Sequence, residues 1–113
     1  MSIERLLTND VRTEPGARSP VDADDILAGS PEVVTIPLAS LGAAEFGIWE
    51  ITTGTVRDTE ADEIFVVLSG SGAVGFEDGS SIELSEGVAV RLQAGDRTVW
   101  RVEETLRKVY FAV

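Results

Sequence analysis

The chain contains no cysteine and no histidine, one tyrosine, one methionine and only nine basic residues against twenty acidic ones. Without histidine there is no Ser-His-Asp triad, no imidazole base and no histidine metal ligand. Without cysteine there is no thiolate zinc site, no thiol nucleophile and no disulfide framework. A metal would have only oxygen ligands, which favours magnesium, calcium or manganese over zinc or copper. The net charge of −11 repels phosphate backbones, and only Arg107 and Lys108 are adjacent cations, so neither nucleic acid nor an anionic membrane is expected as a partner. Long apolar runs are missing too, and none approaches the roughly 20 residues of a membrane span. Glu4 and Arg5 precede any apolar run, and Asn9 and Asp10 follow soon after, so no signal-peptide core is expected. The lack of cysteine fits a reducing interior, and the expected compartment is the cytoplasm.

What is present suits one folded domain. The chain has 113 residues, within the usual range for a single core, and 43% of them are hydrophobic. Residues 1–30 differ from the rest in carrying Pro15-Gly16, Pro20 and the acidic cluster Asp22, Asp24, Asp25. They read as an extended N-terminal arm, either laid on the body or donated to a second copy. Ile3, Leu6 and Leu7 have one-turn helical spacing, which allows a short docking helix.

From residue 31 to 113 the pattern is that of short strands separated by turns. Val33 to Leu38 is rich in β-branched residues, and Pro37 assigns it to an edge or a strand end. Phe46 to Thr52 precedes Gly54. Ile64 to Leu68 is a continuous apolar run, the mark of a buried strand. Ala73 to Phe76 leads into Asp78-Gly79, a strong hairpin signal, and the alternation Ile82, Leu84 follows. Val88, Val90 and Leu92 alternate next, then Gly95-Asp96 turns the chain into Arg97 to Val102, and Leu106 to Val113 closes the domain. No window carries a helical stripe. Eight or nine strands at this spacing predict an all-β sandwich or barrel. Gly70-Ser71-Gly72-Ala73-Val74-Gly75 spells GxGxxG, but it precedes a strand and a hairpin rather than a helix, so it does not read as a dinucleotide loop.

Glu63, six residues, Gly70, and later Gly87, five residues, Gln93-Ala94-Gly95 resemble the two halves of the cupin signature. Gly47-Ile48-Trp49-Glu50, Gly54 with Arg57, Asp62-Glu63, Ala94-Gly95, Trp100 and Glu104 before Arg107-Lys108-Val109-Tyr110 are more closely similar to the small single-domain cupins related to ureidoglycine aminohydrolase. The resemblance spans about residues 45–113. It implies a double-stranded β-helix, a jelly-roll barrel whose mouth receives a small molecule. The departures from the pattern concern the metal. The family's first histidine pair falls on Val56 and Asp58, or on Arg57 and Thr59, depending on loop length, and the later histidine falls on Thr98. Glu63 alone keeps a ligand type at a clear ligand position. No metal or other cofactor is therefore expected, an oxygen-only divalent site such as manganese being the residual alternative.

Strand alternation places Glu63 on one face with Phe65 and Val67, Thr98 with Trp100 and Val102, and Lys108 with Tyr110 and Ala112. The resemblance turns Glu63, Thr98 and Trp100 inward, and the Lys-x-Tyr pair suggests the same for Lys108 and Tyr110. Glu63, Lys108 and Tyr110 are then candidates for proton transfer, and Trp49, Arg57, Thr98 and Trp100 for ligand binding. Each also has a plainer reading. Glu63 reads as a structural acid paired to Arg57 or Lys108, the two tryptophans as core, Lys108 as a solvated strand residue and Tyr110 as a packed aromatic. Three functions remain open. The leading one is a metal-free cupin binding a small molecule. The alternatives are an enzyme of the ureidoglycine aminohydrolase-like class acting on a small nitrogenous or carboxylate metabolite, and an interaction module with a filled barrel. A homodimer is expected in each case, because unpaired sheet edges invite pairing.

Overall fold

The structure is a computed structural model that describes residues 4–113. Nine strands follow in order: β1 (Ser19–Pro20), β2 (Ile26–Gly29), β3 (Glu32–Leu41), β4 (Ala44–Ile51), β5 (Gly54–Thr59), β6 (Glu63–Phe76), β7 (Ser81–Leu84), β8 (Ala89–Leu92) and β9 (Arg97–Ala112). A single 3-10 turn at Ala23–Asp25 is the only helical element among the described residues. The all-β expectation holds, and the strands form one sheet curled into a barrel.

Two long antiparallel strands, β6 and β9, pair along nearly their whole length, from Glu63↔Ala112 to Phe76↔Thr98. The second half of β9 also pairs with β4, which pairs with β3, while the first half of β6 pairs with β8. The other halves of the two long strands pair with β5 and β7, and β5 pairs with β2. Each long strand thus passes from one side of the barrel to the other. Register shifts between Val67 and Gly72 mark the corner. Gly70 has φ +92°, and a Cβ there would collide with the Thr105 carbonyl and lie 2.7 Å from the Leu106 Cα, so glycine is required. At Gly72 a Cβ would collide with the Arg101 carbonyl. The GxGxxG string is a strand corner.

Four segments differ from the sequence reading. The strands expected at Ile64–Leu68 and Ala73–Phe76 are one strand, as are those at Arg97–Val102 and Leu106–Val113, because the corner bends the ladder without breaking it. The run Ile64–Leu68 is not buried on both faces: Phe65 and Val67 fill the core while Ile64 and Val66 face outward, exposed. Strand β5 had no hydrophobic signal beyond Val56, the one buried residue among its six. Leu6 and Leu7 lie in no helix, and Ile3 falls outside the described residues. Pro37 does sit at a bulge on an edge, beyond the short β1–β3 pairing.

The arm crosses the outer face of β3, β4 and β9. Arg107, buried there, donates from Nε to the Val11 carbonyl at 2.9 Å and from Nη2 to the Glu14 carbonyl at 2.6 Å, and pairs with Glu50 at 3.2 Å. Gly16 lets the arm press on Val34 and Ile36, whose methyls lie where its Cβ would be. Residues 19–29 then add β1 and β2 to the sheet edges. Inside, Ile51, Phe65, Val67, Val74, Leu84, Leu92, Trp100, Val102 and Leu106 make the core.

Candidate functional site

The core does not fill the barrel. Between β4, β5, β6 and β9 lies a cavity of about 260 Å³ lined by Thr35, Trp49, Val56, Asp58, Glu60, Glu63, Trp100, Lys108 and Tyr110. The period-2 alternation of each strand delivers these residues. Trp49 stands opposite Lys108 across β4 and β9, Val56 opposite Trp100 across β5 and β9, and Phe65 opposite Tyr110 across β6 and β9. Val56 and Asp58 face inward, so of the two registers the sequence left open, the structure adopts that one. Arg57 and Thr59 face a neighbouring open groove.

Lys108 is the centre of the site. Its ammonium lies 2.6 Å from Glu63 Oε2, with the two side chains only 6% and 13% exposed. Three ring centroids surround the same nitrogen: Phe65 at 4.3 Å, Trp49 at 4.7 Å and Trp100 at 4.9 Å. The rings touch one another as well, Trp49–Trp100 at 5.7 Å and Phe65–Trp100 at 5.5 Å. A buried ammonium needs a counter-charge and polarisable neighbours to offset its lost hydration, and this one has both.

A second network stands beside the first. Glu60 Oε2 accepts from the Thr98 hydroxyl at 2.7 Å and from Trp100 Nε1 at 3.0 Å, and all three residues are buried. Backbone bonds hold Glu60 in place: its amide donates to the Asp96 carbonyl, and its carbonyl accepts from Gly95. Asp58 stands at the rim, open to solvent along one side. The cavity wall strips water from its carboxyl and the Glu60 charge adds to the effect. Together they push its pKa up to about 6, against the pull of the Thr59 amide and of Lys108. Tyr110 lies over Gly47, where a Cβ would be 2.6 Å from the phenol oxygen, and donates to Glu45 at 2.6 Å. Burial, then the Glu45 carboxylate, raises its pKa above the ordinary phenol value, so it enters chemistry near neutrality as a neutral phenol.

Of the residues singled out in the sequence, the fold brings Trp49, Glu63, Trp100, Lys108 and Tyr110 into one cavity. Thr98 is buried immediately behind it on Glu60. Arg57 is not brought there. It points outward, donates to the Asp24 carbonyl at 2.6 Å and pairs with Asp25 at 3.7 Å, while Glu63 takes Lys108 as its partner. Sequence reasoning missed Glu60. The residue lies in a polar turn between β5 and β6 with no pattern to mark it, although extending the Val56, Asp58 alternation by one step reaches it. Phe65 was assigned to the right face but not to the ammonium.

The carboxyl groups of Asp58, Glu60 and Glu63 share the cavity, yet among the described residues no three acids stand close enough to hold a metal ion. With Lys108 occupying Glu63, the residues present do not fit the divalent site of the cupin pattern. The arrangement can do other chemistry. It offers aromatic faces, one ammonium, a carboxyl ionising near neutrality and several acceptor oxygens inside a small enclosure.

Solved structures with this fold include a protein of unknown function from Pseudomonas syringae pv. tomato, at a TM-score of 0.80 and 21% identity over 90% of this chain. This chain spans 46% of that protein's length. The EutQ protein of Clostridium difficile aligns at a TM-score of 0.64 and 24% identity, covering 81% of this chain and 78% of that one. A putative ethanolamine utilization protein Q from Salmonella typhimurium aligns at 0.62 and 16% identity, over 88% and 96% of the two chains. No curated protein matches. The model of the EutQ-like cupin domain matches residues 38–110, which covers β4 to β8, all but the last two residues of β9 and every residue of the cavity except Thr35, and the chain belongs to that family.

Proposed function

We propose that the chain binds a small molecule in the barrel cavity. The observation that carries this is the Lys108–Glu63 pair, set beneath three rings and beside open space instead of being packed over. A buried ion pair is commonly no more stabilising than apolar side chains of the same volume, so charge placed against a cavity points to a ligand. The cavity also favours this reading over that of a filled barrel.

A thermal-shift screen of the purified chain against amines, ureides, small acids and sugars tests the proposal. A true ligand raises the midpoint in a concentration-dependent way, as binding to the folded state alone requires. That rise disappears in Glu60→Gln or Trp100→Leu. Silence across the whole screen refutes the reading.

A second reading, an enzyme of the ureidoglycine aminohydrolase-like class, is favoured by one observation. Asp58, at the cavity mouth with a pKa of about 6, is suited to take a proton near neutral pH. It is a better base than Tyr110, and Lys108 with Glu63 would orient the substrate. Turnover of a bound nitrogenous metabolite, lost in Asp58→Asn while binding persists, separates this reading from the first. The proposed cytoplasmic homodimer rests on the lack of cysteine and on the exposed outer strip Ile64, Val66 and Phe111. A monomer mass by light scattering at micromolar concentration removes the dimer.

A further inference from the structure

Three ring faces and a carboxylate around one nitrogen are the chemistry by which proteins hold free organic ammonium ions. The ring quadrupoles attract the cation and the carboxylate neutralises it. Here Phe65, Trp49, Trp100 and Glu63 enclose an ammonium that belongs to the chain itself, at the end of the Lys108 side chain. The β9 ladder needs no lysine at this position, since its cross-strand neighbours are Trp49 and Val67 and an apolar residue would pack between them without desolvating a charge. The space beside the cage is also tuned to cations, its lining holding three carboxyl groups against one ammonium. Glu60 engages Trp100 and Thr98 through Oε2 only, and the Asp58 side chain accepts from the Thr59 amide through Oδ1 only, so each keeps an oxygen to offer.

We propose that the cage over Glu63 is a binding site for a small organic ammonium ion, filled in the free protein by the tethered amine of Lys108, which swings toward Asp58 and Glu60 when a free ammonium enters. This rests on the reading of the cavity as a ligand site and names the class of ligand it takes: a primary or methylated amine small enough for about 260 Å³. Lys108 acts as an internal competitor. It keeps the cage occupied and its carboxylate neutralised, and it sets a threshold that a free amine must exceed. A flexible tether presents its end group at an effective concentration in the millimolar range, so the competition is measurable.

The test compares the wild-type chain with Lys108→Ala, each titrated with trimethylammonium chloride, with tert-butanol as the neutral match in shape and with sodium chloride for ionic strength. The indole N–H signals of Trp49 and Trp100 and the melting midpoint are the readouts. Trimethylammonium is expected to shift both indole signals saturably. In the variant it does so at a concentration at least about tenfold lower than in wild type, and it raises the variant's midpoint. Tert-butanol and sodium chloride do neither. An equal response to tert-butanol, or no response to trimethylammonium, overturns the proposal. Should the variant fail to fold, the wild-type titration decides alone: a saturable, ammonium-selective shift of the Trp100 signal supports the site and its absence overturns it. A neutral or anionic molecule that binds the cavity where trimethylammonium does not overturns the ammonium assignment and leaves the cavity's binding role standing.

Discussion

Replacing Lys108 by methionine keeps the length of the side chain and removes its charge. The loss can be worked from the site. Glu63, only 13% exposed, is left as a buried carboxylate without a counter-charge, and breaking a buried pair in this way costs about 3–5 kcal/mol. Three ring contacts to the ammonium disappear as well, each worth roughly 0.5–2 kcal/mol in a desolvated setting. Against this, methionine no longer desolvates a charge and still packs on the rings. The net is a destabilisation of about 3–4 kcal/mol, or about 12–16 °C in midpoint at about 4 °C per kcal/mol for a domain of this size. Urea unfolding at pH 7, followed by tryptophan fluorescence, measures it. Adding Glu63→Leu should recover most of the loss, because replacing both partners by apolar groups is commonly neutral, and a coupling energy of at least about 2 kcal/mol is expected from the cycle. A Lys108→Met variant within about 1 kcal/mol of wild type, or a double variant whose losses simply add, refutes the assignment of the pair as buried and coupled.

Asp58 gives a pH dependence of opposite sign to that of an ordinary paired carboxylate. Its folded pKa, about 6, lies above the unfolded value of 3.8, so the folded state holds the proton more tightly and stability falls as pH rises from about 4 to about 6. The full shift would be worth about 3 kcal/mol for an enclosed acid, and solvent at the rim reduces it to about 1 kcal/mol; Asp58→Asn should flatten that part of the profile in urea titrations. Gly70→Ala forces a Cβ into the Thr105 carbonyl at a positive φ and should cost about 3 kcal/mol or more, visible as loss of soluble folded protein or of its cooperative melt. Arg107→Met removes the side-chain bonds to Val11 and Glu14, so limited proteolysis should cut within residues 4–18 faster than in wild type while the barrel stays intact.

The barrel was largely legible in the sequence because strand alternation and turn residues are local signals. Val88-x-Val90-x-Leu92 and Asp78-Gly79 identify themselves within a few residues. The corner was not legible in the same way. The Gly70 to Gly72 stretch fell between two expected strands, Ile64–Leu68 and Ala73–Phe76, whereas here its glycines let two long strands bend past each other, a fact set by Thr105 and Arg101 some 30 residues away. The polar β5 escaped notice because pairing with β9 and β2 specifies it, with little apolar burial of its own. In the site, alternation grouped Glu63 with Phe65, Trp100 with Thr98 and Lys108 with Tyr110 on shared faces, while the cupin resemblance and the Lys-x-Tyr pair supplied the inward direction. Their partners did not follow from alternation, since Lys108 meets Glu63 and Glu60 meets Trp100 only through long-range strand order. Arg57 illustrates the limit. It lies six positions before Glu63, on the preceding strand, but faces outward from that strand, so its charge goes to Asp25.

The most direct measurement is the indole N–H spectrum of the labelled wild-type chain during titration with pooled small amines, ureides, acids and sugars. The account predicts that at least one pool shifts the Trp49 and Trp100 signals saturably, Trp100 through its bond to Glu60. Indole signals that stay fixed across every pool at millimolar concentration would contradict a ligand site in this barrel.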